Sequence, residues 1–176
     1  MRNRRDRTAV ASIVIAGVML AAPAIASAQK LVFLVRHAER ADGGAGVEKM
    51  MTGTPADPPL SPAGEARAQK LAAMLADAGI RAIYATEFKR TLDTGKPLAT
   101  KLKVPLRQHP SMMAESLANR LRTEHAGDVV LVIGHSNTLP IVIKALGGPD
   151  VTIPDREYDN LFIFVPATKT LTRVRF

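Results

Sequence analysis

The sequence predicts an α/β protein: a three-layer α/β/α sandwich on a mostly parallel central sheet. Three observations lead there. Short apolar runs alternate with amphipathic, helix-periodic stretches along the chain. The runs at 31–35 and 129–133 are apolar at every position, as strands covered on both faces must be. The length of 176 residues, with 47% hydrophobic and 23% charged residues, suits one domain with one substantial core.

The elements follow in order. Arg2, Arg4, Arg5 and Arg7 open the chain, and no charged residue then appears from Thr8 through Gln29. Pro23 breaks the apolar centre, and Ala26-Ser27-Ala28 has the small-x-small form of a signal-peptidase site. Residues 1–28 therefore read as a signal peptide cleaved after Ala28, and residues 29–176 as the folded domain. The apolar centre is short for a membrane span, which needs about 20 apolar residues. The expectation is a periplasmic or secreted protein, with no stable membrane insertion after cleavage. Losing four arginines and Asp6 lowers the net charge from +8 to +5.

A strand at 31–35 is followed by a Gly-, Pro- and Asp-rich loop at 38–59. Ser61-Pro62 gives an N-cap and a first-turn proline to a helix whose stripe is Ala68, Leu71, Ala72, Leu75 and Ala78, with Gly79 ending it. A strand at 80–85 precedes a helix from about Glu87, expected to break near Gly95 and Pro97. After a short strand at 104–108, a helix from Ser111 puts Ala114, Leu117, Ala118, Leu121 and His125 on one face. His125 on that stripe reads as a packed histidine. The strand at 129–133, a helix at about 140–146, and a final strand pair at 161–165 and 171–176 complete the sheet.

Composition excludes whole classes of function. The absence of cysteine removes disulfides, thiolate catalysis and cysteine-ligated metals. Five Phe, two Tyr and no Trp leave too few rings for a stacking nucleic-acid binder, so no nucleic acid is expected despite a pI near 10.2.

In parallel α/β sheets ligands bind beyond the carboxyl ends of the strands. Four segments fall there: Arg36-His37, residues 86–90 with Arg90, residues 109–115 with His109 and Glu115, and Gly134-His135-Ser136-Asn137. Two arginines and two histidines converging on one crevice suit a dianionic phosphate. Guanidinium binds its oxygens in bidentate fashion and keeps its charge, and a helix N-terminus at 137–140 would add amide donors. Neutral imidazole is a competent nucleophile, and a second imidazole can donate to the transferring group.

The runs LVFLVRHAER (31–40), DPPLSPAGEARAQKLA (57–72), IYATEFKRTLDTGKPLA (83–99) and VLVIGHSNTLP (130–140) resemble, in order, the blocks of the histidine phosphatase superfamily, also called phosphoglycerate mutase-like. The resemblance implies a phosphatase acting on phosphomonoesters or phosphoramidates through a covalent phosphohistidine, with no cofactor. His37 would be the nucleophile, and Arg36, Arg90 and His135 the phosphate clamp. Two departures stand out: Ala38 replaces the family's usual Gly, and Ser136 and Asn137 follow His135 where the acid-phosphatase branch has its His-Asp pair.

The proton donor is therefore left open among Glu115, Glu39, Glu157 and Asp159, with Glu115 favoured by its place after the third strand. His37, Glu39, His109 and His135 have no recognised metal-ligand spacing, so no metal is expected. Arg40 and Lys89 read as ordinary surface charges, with a place on the rim of the site as the alternative, while Met50-Met51 and Met112-Met113 pack or line an apolar substrate surface. Expected substrates are a phosphorylated small molecule, glycan or protein. Two rival readings share the fold: a non-catalytic phospholigand-binding module, for which the arginines alone would suffice, and a phosphoglycerate mutase-like phosphotransferase, which would need an enclosed, water-free site.

Overall fold

A computed structural model describes residues 30–43 and 57–176; the expected signal peptide at 1–28, most of the expected 38–59 loop and the Met50-Met51 pair lie outside the described residues. Six strands form one sheet: β1 (Leu31–Arg36), β2 (Ile80–Ala85), β3 (Leu106–Gln108), β4 (Val129–Gly134), β5 (Asn160–Val165) and β6 (Thr170–Arg175), in the spatial order β3-β2-β4-β1-β5-β6. The first four are mutually parallel, and β5 and β6 add an antiparallel edge.

β1 shows why a strand apolar throughout is required. Val32 and Leu34 point to one face and Phe33 and Val35 to the other, and all four are buried. Helices α1 (Pro62–Met74) and α2 (Lys89–Leu102) supply Leu71, Ala72, Leu98 and Ala99 to one core layer. Helices α3 (Ala114–Glu124) and α4 (Thr138–Ala145) supply Leu117, Leu121, Leu139 and Ile143 to the other. The result is the expected α/β/α sandwich. His125 packs as expected: it is buried between the Tyr84 hydroxyl at 2.8 Å and Asp128 at 3.0 Å.

Four local expectations need correction. α2 is not broken near Gly95 and Pro97. Pro97 cannot donate to the carbonyl four residues back, but that single loss is outweighed by burial of Leu98 and Ala99 on the sheet. Gly95 brings the helix close; a Cβ there would come within 2.6 Å of Ile133 Cδ1. α1 ends at Met74, with Leu75 as its C-cap, rather than at Gly79. Gly79, at φ 71°, instead turns the chain into β2, a left-handed conformation that glycine takes without strain. α4 begins at Thr138, two residues before the expected start, and Ser111–Met113 form a separate 3-10 turn ahead of α3.

Because β1 and β4 are adjacent and parallel, Arg36 pairs in register with Gly134. The His37 N–H then continues the ladder by donating to the Gly134 carbonyl at 2.9 Å. The register thus sets the residue after β1 beside the residue after β4.

Candidate active site

At the carboxyl ends of β1, β2 and β4 lies a cleft of about 870 Å³ lined by Arg36, His37, Arg90 and His135 together with Arg40, Phe88 and Glu115. The His37 and His135 rings stand edge to face with centroids 5.2 Å apart. His37 Nδ1 lies 2.8 Å from the Ala38 carbonyl oxygen. A carbonyl only accepts, so Nδ1 carries the proton and Nε2 the free lone pair. Burial lowers the His37 pKa, the Ala38 hydrogen bond opposes this, and His135, Arg36 and Arg90 lower it further, to about 3. His37 is therefore neutral at pH 7.

His135 sits in a chain of donors and acceptors. Burial, then Arg90, pushes its pKa down to about 4, with Glu87 opposing. Its Nε2 lies 2.8 Å from Thr86 Oγ1, which lies 2.9 Å from Thr91 Oγ1, and Thr91 donates to the Phe88 carbonyl at 2.7 Å. Arg90 approaches His135 Nδ1 at 3.5 Å. With the Thr91 proton on the Phe88 carbonyl, Thr86 donates to Thr91 and accepts from His135 Nε2–H, so neutral His135 keeps its lone pair on Nδ1, beside Arg90.

Arg36 is a buried cation and Arg90 a half-buried one. Arg36 donates to the carbonyls of Pro154 and Asp155 at 3.2 and 2.5 Å, and its guanidinium lies 4.2 Å from the centre of the Tyr158 ring. Arg90 lies 4.3 Å from the Phe88 ring and reaches Asp57 at 3.5 Å. Each guanidinium is thus set by an aromatic face. Burial lowers both pKa values, yet guanidinium remains ionised. Arg40 is corrected from a surface charge to a cleft wall, its side chain only 16% exposed and paired with Asp42. The Nε donors of Arg36, Arg40 and Arg90 are all buried without a hydrogen-bond partner. An unpaired buried donor is costly, and three on one cleft call for an anion.

The four candidate acids separate by position. Glu115 is exposed in the first turn of α3 and lines the cleft. Glu39, although next but one to His37, is taken by Arg67 in a bidentate pair at 2.7–3.0 Å. Burial raises the Glu39 pKa, but the Arg67 hydrogen bonds outweigh it and hold the carboxyl below its ordinary value. Glu157 is paired with Arg173 and Arg175, and Asp159 with Arg175. His109 does not join the cleft; its Nε2 lies 2.7 Å from the Met113 carbonyl. Among the described residues no group of three or more His, Asp or Glu is placed to hold a metal ion.

The family model of the histidine phosphatase superfamily (branch 1) matches residues 32–114. Over that segment, a little under half of the chain, the chain is similar to the histidine phosphatase superfamily. The matched segment holds Arg36, His37 and Arg90 and stops before β4, so it is the β1–β4 register that adds His135 to the family's pocket. The fold is shared widely among solved members. YhfR of Bacillus stearothermophilus superposes with a TM-score of 0.64 at 18% identity, over 82% of this chain and 95% of that one. The alpha-ribazole phosphatase of Shigella flexneri gives 0.60 at 16%, over 83% and 95%. The protein histidine phosphatase SixA, solved with tungstate, gives 0.53 at 18%, over 82% and 94%. No curated protein matches the chain.

The sequence alone does not single out Thr86, Phe88, Thr91, Thr94 or Tyr158. Thr94 Oγ1 accepts from the Ala38 N–H at 3.0 Å and donates to the Arg90 carbonyl at 2.6 Å, tying the loop after β1 to the start of α2. A signal for Phe88 existed in its place two residues before Arg90. Tyr158 is 122 positions from Arg36 and had none.

Proposed function

We propose that this protein is a phosphatase that hydrolyses phosphomonoesters or phosphoramidates through a phosphohistidine on His37. The supporting observation is the neutral His37, its Nε2 free, in a cleft whose arginines hold three unpaired buried donors. In the first half-reaction Nε2 attacks phosphorus as the bond to the leaving oxygen breaks, and Glu115 protonates that oxygen. In the second, Glu115 takes a proton from water as the water oxygen bonds to phosphorus. The P–N bond breaks, its electron pair returns to Nε2, and phosphate leaves. Arg36, Arg90 and His135 stabilise the charge on the equatorial oxygens in both halves.

Rapid acid-base quenching tests this. A phosphoryl label on the protein should be acid-labile and base-stable, and His37→Ala should lose both label and turnover, while a chelator should change neither. Turnover that stops with chelator and returns with zinc would overturn the mechanism. Saturable binding of phosphate esters with neither label nor turnover would point to the phospholigand-binding reading instead.

Export is part of the same proposal, resting on the arginine-led, charge-free segment and the Ala26-Ser27-Ala28 site. The mature chain should begin at Gln29, which the intact mass of the protein from the periplasm would check. Full-length protein retained in the membrane would count against it.

A further inference from the structure

Five large apolar side chains are exposed among the described residues: Met74, Met112, Met113, Ile141 and Val174. Three of them, Met112, Met113 and Ile141, line the cleft that holds Arg36, His37 and Arg90. Met112 is 97% exposed, although methionine gains by leaving water. Nor is its turn a loose one. The Ser111 N–H and hydroxyl both donate to the Glu87 carboxylate at 2.8 Å, and the Met113 N–H donates to the Pro110 carbonyl at 2.9 Å. The buried His109 donates to the Met113 carbonyl at 2.7 Å. Four hydrogen bonds thus hold a single 3-10 turn that presents two methionines to the cleft, and Ile141 joins them from α4. Exposed apolar side chains gathered beside a polar pocket mark a binding surface, and methionine adapts to varied apolar shapes.

We propose that the substrate is a phosphate monoester of an apolar alcohol, its phosphate on the arginines and its hydrocarbon on Met112, Met113 and Ile141. This rests on the phosphatase reading above and names the substrate class of the same cleft. The occupant follows from continuity: a group esterified to a phosphate held by Arg36 and Arg90 has to leave along the walls of that cleft. A sugar would set its hydroxyls against thioether and hydrocarbon surface; an alkyl or aryl group would dry it.

The test measures binding of ethyl, butyl and hexyl phosphonate to the full chain by titration calorimetry, beside turnover of the matching phosphates and of glucose 6-phosphate. Affinity should rise about twofold per added methylene, half of the roughly fourfold gain of complete burial, because the wall covers one side. Hexyl phosphate should exceed glucose 6-phosphate in kcat/KM. Met112→Ser with Met113→Ser should flatten the chain-length dependence, and Met112→Leu with Met113→Leu should restore it. Equal affinity across the phosphonates, or an undiminished slope in the serine variant, would overturn the apolar wall while leaving the phosphatase standing. Phosphonate binding without turnover of any ester would overturn the phosphatase and keep the wall. No binding of any phosphonate would overturn both.

Discussion

A histidine nucleophile needs one ring nitrogen without a proton and a fixed ring plane. His37 meets both needs through one bond, from Nδ1–H to the carbonyl of the next residue. The change from Gly to Ala at position 38 is accommodated because the Ala38 side chain is buried with Leu60 and Ala68, while its N–H serves Thr94. At the same scale the acid can be tested. Glu115 alone among the four candidates lines the cleft, the other three being engaged by Arg67, Arg173 or Arg175. An alkoxide needs a proton to leave, whereas a nitrophenolate does not. Glu115→Gln should therefore slow alkyl phosphates about 10²–10⁴-fold and leave nitrophenyl phosphate nearly unchanged. Equal slowing of both in steady-state assays would remove Glu115 from that role.

Elements position what residues perform. His37, the proposed nucleophile, follows β1, and its loop is pinned from the edge of one core layer: by Thr94 of α2, by the Ser61 N–H donating to the Glu39 carbonyl at 2.9 Å, and by Arg67 of α1 on the Glu39 carboxylate. α1 packs on this loop directly. A Cβ at Gly64 would overlap the Glu39 carbonyl oxygen and lie 3.0 Å from its nitrogen, and both are backbone atoms that cannot rotate away. Gly64→Ala should cost about 1–3 kcal/mol in stability. It should also lower kcat/KM, since a shift of about 1 Å at a reacting group can cost about 10²-fold. Denaturant midpoints and kinetics on the one variant check both; wild-type values in each would mean that the loop yields freely.

For the molecule as a whole, two buried neutral histidines tie stability to pH. His37 and His135 titrate at about 3 and about 4 in the folded protein, against about 6.5 unfolded. Between those values the unfolded chain binds more protons, so stability is complete above about pH 6.5 and is lost as pH falls toward the folded values. The slope is at most about 1.4 kcal/mol per pH unit for each ring. Glu39, held ionised by Arg67, adds to the loss only at lower pH, below its ordinary range. The window from pH 6.5 to 5 therefore isolates the histidines. Urea midpoints should fall across it in the native protein and less in His37→Gln or His135→Gln; a flat native midpoint would mean that the rings are not buried uncharged.

The sequence by itself determined the layers and the motif residues. Apolar runs without interruption force strands to be covered on both faces, and that burial is local enough to be seen in residues 31–35 and 129–133. Arg36-His37, Arg90 and His135 were legible because each lies within two residues of the end of such a run or at the start of the next helix. Helix limits were less so: Pro97 and Gly95 carry a local preference against helix that packing on Ile133 and Leu106 overrides. Only the tertiary structure decided which neutral partners tune the site. Tyr158 beneath Arg36, the Thr86–Thr91 hydroxyls behind His135, and the pairing that removes Glu39 from the cleft join residues far apart in the chain or on different elements. The physical reason is that a hydroxyl, a ring or a carboxylate has no pattern of its own along the chain. Its role is set by what lies within about 3–4 Å of it, and the register of β1 on β4 and the packing of α1 and α2 fix that.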